Sequence, residues 1–162
     1  MKIVYIHGLD SKLSPEKREI LKKFGEVISP EVNYYQNPGA IATILQQLEG
    51  KGPDVIIGSS MGGFAAYYVS ISLHKPALMF NPALAERTVE QEVPEAKIEQ
   101  KQLKQFLLGA IDDVVNPGET LKFIAEAYNE HTDFHLHILP GLTHNIPLDV
   151  FEAEVRSFLE KV

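Results

Sequence analysis

The chain contains no cysteine. That absence excludes a disulfide framework, a thiol nucleophile and any cysteine-ligated metal or cluster, and it fits a reducing compartment. Positive charge is scarce. Fifteen Lys and Arg against 22 Asp and Glu leave a net charge of −7, and such a surface repels phosphate backbones, so general nucleic-acid binding is not expected. No apolar run approaches the roughly 20 residues that cross a bilayer. The apolar start Met1-Lys2-Ile3-Val4-Tyr5-Ile6 is too short for the core of a signal peptide, and His7-Gly8 closes it without a small-residue cleavage site. The loop after it reads His7-Gly8-Leu9-Asp10, not G-x-G-x-x-G, and no P-loop is present, which disfavours a nucleotide-binding protein. Repeats, low-complexity tracts and linkers are also missing. These absences lead us to expect a soluble cytoplasmic protein without a membrane span.

What is present is ordinary globular sequence, 44% hydrophobic and 23% charged over 162 residues. At roughly 100 to 200 residues per domain this length predicts one domain over 1–162. A chain of this size buries about 70% of its unfolded surface, so no metal or disulfide staple is needed. Apolar runs of strand length alternate with segments of helical period, the pattern of a parallel α/β sheet. Strands are expected at 3–7, 26–28, 55–58, 77–80, 105–109 and 134–139. Most are continuous Val/Ile/Leu runs, as in strands covered on both faces. Helices are expected after Ser14-Pro15, an N-cap followed by proline at the first helical position, and at 40–48, 61–73, 118–129 and 148–159. Residues 81–104 break the rhythm. They are rich in glutamate (Glu86, Glu90, Glu92, Glu95, Glu99) and read either as a reduced lid or as a short solvated helix pair.

The strongest local signal is Gly58-Ser59-Ser60-Met61-Gly62, a G-x-S-x-G motif followed by Gly63. It stands after the apolar run Val55-Ile56-Ile57 and before a helical segment. A serine at such a turn is held in a strained conformation with its Oγ exposed above the sheet, and the helix that starts there favours developing negative charge. A serine needs a base, and the base needs a third group to orient it. In chain order the sequence offers Asp112, or its neighbour Asp113, after the run Phe106-Leu107-Leu108-Gly109, and His144 after the strand that ends at Leu139. All lie beyond the carboxyl ends of strands, where open α/β sheets bind ligands. The expected catalytic set is therefore Ser60, Asp112 and His144, with Asp112 preferred because Gly109, Asp112 and Val115 fit G-x-x-D-x-x-V. Backbone N–H groups of Leu9 and Met61 would form an oxyanion hole. His7, Gly8 and Asn81 are candidate substrate-binding residues. His7 competes with His144 as base but comes too early in the chain, and it reads better as a residue that orients its loop. Phe80-Asn81-Pro82 could equally be a turn, and Tyr34, Tyr35 and Phe64 are candidate walls or plain packing. His135 and His137 share a strand face without an evident third ligand, so no metal is expected.

The combination of Tyr5-Ile6-His7-Gly8, the Ser60 motif, Asn81-Pro82-Ala83, the Gly109-to-Val115 segment and Gly141-Leu142-Thr143-His144 resembles the α/β-hydrolase superfamily. Within it the chain is most similar to the small YqiA/YcfP-like bacterial proteins that are read as esterases. The resemblance spans nearly the whole chain. It implies a three-layer α/β/α hydrolase fold with a reduced six-stranded parallel sheet, strand order 2-1-3-4-5-6, and hydrolysis of short acyl esters without a cofactor. Two features depart from those relatives: the segment after Asn81-Pro82-Ala83 is shorter, and Gly-Leu-Thr-His replaces the commoner Gly-Gly-x-His.

The leading function is a serine hydrolase acting on a small acyl ester or thioester, as a monomer or homodimer. An acyltransferase or perhydrolase would use the same triad with another acceptor, and a non-catalytic small-molecule receptor would use the fold alone.

Overall fold

The structure, a computed structural model, describes residues 1–95 and 97–162. Strands β1 (Lys2–Ile6), β2 (Glu26–Ile28), β3 (Val55–Ser59), β4 (Ala77–Phe80), β5 (Gln102–Gly109) and β6 (Thr132–Leu139) form one sheet. The order is β2-β1-β3-β4-β5-β6 and every pairing is parallel. Helices α1 (Pro15–Lys22), α2 (Ala40–Leu48), α3 (Met61–Ser72), α4 (Pro117–Ala127) and α5 (Leu148–Leu159) connect and cover it. This is the expected three-layer α/β-hydrolase arrangement, with the expected strand order.

Side chains alternate across a strand with period two, and here that alternation separates two cores. Val4, Ile6, Ile56, Met79, Phe106 and Leu108 pack on one face, against α2, α3 and α4. Ile3, Tyr5, Ile57, Leu78, Phe80 and Leu107 pack on the other, against α1 and α5. Helix α3 is buried almost all round, consistent with its run of Gly, Ala, Phe and Val rather than a single apolar stripe. Helix α1 begins as its sequence predicts: the Ser14 hydroxyl accepts from the Lys17 N–H, with Pro15 at the first position.

The chain runs from β1 outward to β2, then returns past β1 to β3. The sheet therefore reverses direction between β1 and β3, and open α/β sheets place ligands in the crevice above such a reversal. Ile6 pairs with Gly58 at the upper ends of the two strands. The loops that follow, His7-Gly8 and Ser59-Ser60, thus leave the sheet side by side.

Three differences from the sequence expectation are physical. β5 starts at Gln102 rather than 105, and β6 at Thr132 rather than 134. In both cases polar residues occupy the first strand positions. Of the expected lid segment 81–104, Ala96 lies outside the described residues. Among the described residues of 81–101 there is neither helix nor strand, so the short helix pair is not found. The segment is tied down instead. Leu84 and Ile98 join the core, the Ala83 N–H donates to the Ser60 carbonyl at 3.1 Å, and the Glu92 N–H donates to the Pro38 carbonyl at 2.8 Å. No helix among the described residues is long and apolar enough to cross a membrane.

Candidate active site

Ser60 sits between the end of β3 and the start of α3 with φ 56° and ψ −120°. A serine rarely adopts this backbone region and holds it only where the surroundings impose it. Two glycines make the turn feasible. A Cβ on Gly62 would overlap the carbonyls of Ile6 and His7, and one on Gly58 would overlap the carbonyl of Gly62. The helix and β1 can approach this closely only because neither position carries a side chain. Ser60 caps α3 with its backbone alone, which leaves its Oγ for other partners.

One partner is His144. Its Nε2 lies 3.1 Å from Ser60 Oγ, and its Nδ1 lies 2.8 Å from Asp112 Oδ2. With Nδ1–H donating to the carboxylate, Nε2 is left to accept the serine proton. The other Asp112 oxygen accepts from the Val114 and Val115 N–H groups at 2.8 and 2.9 Å. The aspartate side chain is 1% exposed, so its orientation is set by three hydrogen bonds in a dry setting. Asp113 is exposed, and it is Asp112 that His144 contacts.

Asn81 organises the same corner. It follows β4 in a left-handed conformation, φ 42°, which asparagine tolerates better than most residues. Its Oδ1 accepts from the Gly109 N–H at 2.7 Å, and its Nδ2 donates to the carbonyls of Thr143 and His144 at 3.0 and 3.1 Å. One buried amide thereby joins the ends of β4 and β5 to the histidine loop. The expectation that Asn81 binds substrate is revised, because its amide is already engaged and does not face the cavity beside Ser60.

His7 receives a similar revision. Its Nδ1 lies 2.7 Å from the Gly8 carbonyl, and its Nε2 lies 3.4 Å from the Val32 N–H. These contacts suit a ring that donates through Nδ1 and accepts through Nε2. The Gly8 carbonyl and the Leu9 N–H belong to one planar trans peptide and point in opposite directions. Holding the first fixes the second. The Tyr34 hydroxyl adds a 3.0 Å hydrogen bond to the His7 carbonyl, so Tyr34 is a support of this loop rather than a pocket wall.

A cavity of about 400 Å³ opens beside Ser60, in the range of small-molecule sites. Gly8, Leu9, Met61 and His144 line it together with Ser60. Met61 is the first residue of α3, so its N–H has no partner within the helix. Tyr5, Ser59, Lys17, Arg87 and Ile146 complete much of the wall. Sequence reasoning did not find these residues. Lys17 looks like any lysine on a charged helix, and Arg87 lies in a segment without periodicity. A second cleft of about 560 Å³, lined by His7, Glu31 and Tyr35 among others, adjoins the first across Leu9 to Lys12. Phe64 and Phe80 are fully buried, and Phe80 stacks on Phe151 at 5.0 Å. Both are packing residues. His137 pairs with Glu154 at 2.7 Å and His135 with Asp133 at 3.3 Å. Among the described residues no cluster of three or more His, Asp or Glu could hold a metal ion.

Comparisons with known proteins agree with this architecture. The model of an uncharacterised protein family, UPF0227, matches residues 2–107, which include Ser60 but neither Asp112 nor His144. A Xanthomonas campestris pv. campestris protein assigned to the hydrolases of the α/β superfamily superposes with a TM-score of 0.73 at 15% identity, covering 99% of both chains. Arabidopsis thaliana SOBER1 superposes with a TM-score of 0.71 at 14% identity, covering 99% of this chain and 98% of that one. RedJ, a thioesterase of the prodiginine pathway in Streptomyces coelicolor, gives 0.71 at 14% identity, covering 96% and 85%. At such identities the likeness is one of fold.

Proposed function

The chain belongs to the UPF0227 family and carries the α/β-hydrolase fold, and from that premise we propose that it is a serine hydrolase of small carboxylic esters or thioesters. The observation that carries the reading is the continuous relay from Ser60 Oγ through His144 to Asp112, at 3.1 and 2.8 Å, on a strained strand-to-helix turn.

In this reading Ser60 Oγ attacks the substrate carbonyl carbon while His144 Nε2 takes the hydroxyl proton. The tetrahedral oxyanion receives the N–H groups of Leu9 and Met61, and the amino end of α3 adds favourable potential. Asp112 keeps the imidazole in the required tautomer and stabilises the imidazolium. His144 then gives its proton to the departing alcohol or thiol, leaving an acyl group on Ser60. Water repeats the sequence in reverse and frees the acid. No step calls for a cofactor. Gly8 allows the loop to pass close to the reacting atoms, and His7 and Asn81 act through the loops they hold.

A panel of p-nitrophenyl esters and acyl-CoA thioesters tests this. We expect turnover of short acyl chains that declines with chain length, and loss of turnover by several orders of magnitude in Ser60→Ala. Equal activity in the parent and Ser60→Ala would refute it.

A further inference from the structure

Most basic side chains that make ion pairs here do so on the surface. Lys12, Lys22, Lys23, Lys122 and Arg156 each pair with a glutamate. Three cations line the cavity beside Ser60, and while Lys12 is paired in this way with Glu31, the other two differ. Among the described residues, Lys17 and Arg87 have no carboxylate within ion-pair distance. Lys17 rises from α1, is partly buried, and sets its ammonium 5.0 Å from the centre of the Phe151 ring. Burial pulls its pKa down. Arg87 comes from the loop after β4. Its guanidinium lies 4.2 Å from the Phe64 ring centre, its Nη1 donates to the carbonyls of Ala83 and Leu84, and its Nε is buried without a partner. Phe151 and Phe64 belong to opposite faces of the sheet. Both cations line the cavity together with Ser60, each over a ring that packs on a different face of the sheet. Two carboxylates also line the cavity. Asp10 accepts from the Tyr35 hydroxyl at 2.9 Å, and Glu86 is exposed to solvent.

A partly desolvated cation without a counter-ion is costly, and a ligand that brings the counter-ion offsets that cost. Resting on the hydrolase reading above, we propose that this cavity selects substrates bearing a carboxylate, which Lys17 and Arg87 receive while Ser60 attacks the ester. A carboxylate fits better than a phosphate. Lys17 supplies a single ammonium and Arg87 already spends Nη1 on the carbonyls of Ala83 and Leu84, which matches the two oxygens of a carboxylate better than the three of a phosphate. Attraction would be local, because the chain as a whole carries a charge of −7 and steers anions away at long range.

The test compares matched esters. p-Nitrophenyl hemisuccinate against p-nitrophenyl butyrate places the charge on the acyl side. p-Carboxyphenyl acetate against phenyl acetate places it on the leaving group. The parent should favour the charged member of at least one pair in kcat/KM. Lys17→Met should lower that charged-to-neutral ratio about tenfold, the scale of one charge-assisted hydrogen bond. Lys17→Arg should retain the preference, Lys17→Glu should shift it toward a butyryl choline ester, and Lys22→Met, elsewhere on the same helix, should leave the ratio alone. Preference for the neutral member of both pairs overturns the inference, as does a ratio unmoved by both Lys17→Met and Arg87→Met. If no ester is cleaved by folded protein, the hydrolase reading fails, and calorimetry with succinate judges the anion site separately. Binding to the parent that Lys17→Met abolishes sustains it, and no binding to the parent overturns it.

Discussion

At the scale of single residues, two positions separate an account based on this site from one based on fold alone. Asp112 and Asp113 are chemically identical neighbours, yet one carboxylate is buried against His144 and two backbone N–H groups, while the other is exposed. Asp112→Asn would favour the wrong imidazole tautomer, so we expect kcat to fall roughly a thousandfold or more, with Asp113→Asn within about twofold of the parent. Steady-state kinetics on one ester would rank them, and the reverse order would move the acid by one position. The spacing of Gly109, Asp112 and Val115 points, in the sequence, to the same aspartate that His144 contacts. The role of Asn81 was not, because nothing in Phe80-Asn81-Pro82 distinguishes a turn from a tie between three loops. Its amide holds the Gly109 N–H and the carbonyls of Thr143 and His144. Asn81→Ala should displace the histidine loop and lower kcat by about a hundredfold, the cost of a small misplacement of a reacting group. It should also cost about 1–3 kcal/mol in denaturant unfolding, because a buried N–H loses its acceptor. Unchanged kcat with full stability would contradict that role.

At the scale of elements, the strands read best where burial is uniform. The fourth strand and helices α2 and α5 lie where the apolar pattern puts them, since β4 is an unbroken Ala-Leu-Met-Phe run and each helix buries one apolar stripe, Ala40, Ile41, Ile44 and Leu48 in α2 and Phe151, Val155 and Phe158 in α5. β5 extends three residues beyond its expected start because Gln102 and Lys104 interrupt the apolar run yet still pair with β6. Each polar group finds a partner. Lys104 Nζ donates to the Lys75 carbonyl and to Gln102 Oε1, both at 2.9 Å, and Gln105 Nε2 donates to Glu154 at 2.7 Å. Sequence patterning cannot see such compensation, because the partners come from distant segments. Burial of Lys104 has a pH signature. It lowers the folded pKa from 10.5 to about 7, so between about pH 7 and pH 10 the unfolded chain holds a proton that the folded chain does not. Stability should rise with pH across that window. Above it the sign reverses, because buried tyrosines, with Tyr5 raised to about 12, resist ionisation in the folded state. Denaturant unfolding at stepped pH should show this rise in the parent, and Lys104→Met should flatten it. The same slope in both would assign the effect elsewhere.

At the scale of the molecule, the residues of the site come from five strand ends that meet only because the sheet has this order. Ser60 follows β3, the Leu9 loop follows β1, Asp112 follows β5 and His144 follows β6, with Asn81 just after β4 between them. The serine motif and the chain order of acid and histidine were legible because each piece of chemistry is attached to a local strand-to-loop transition. Two cations of the cavity were not, since Lys17 comes from α1 and Arg87 from the loop after β4. Among the described residues five helices and six strands make up just over half of the chain, and Leu84 and Ile98 of the stretch after β4 are anchored in the core. We read 1–162 as one hydrolase domain with a reduced lid, which favours small substrates. The claim beneath all of this is that Ser60 is an activated nucleophile. The most direct measurement is treatment of the folded protein with a fluorophosphonate, followed by intact mass and peptide mapping. The account predicts a single adduct on Ser60, absent from Ser60→Ala and slowed in His144→Ala. An unlabelled, folded parent, or an adduct on any other residue, would contradict it.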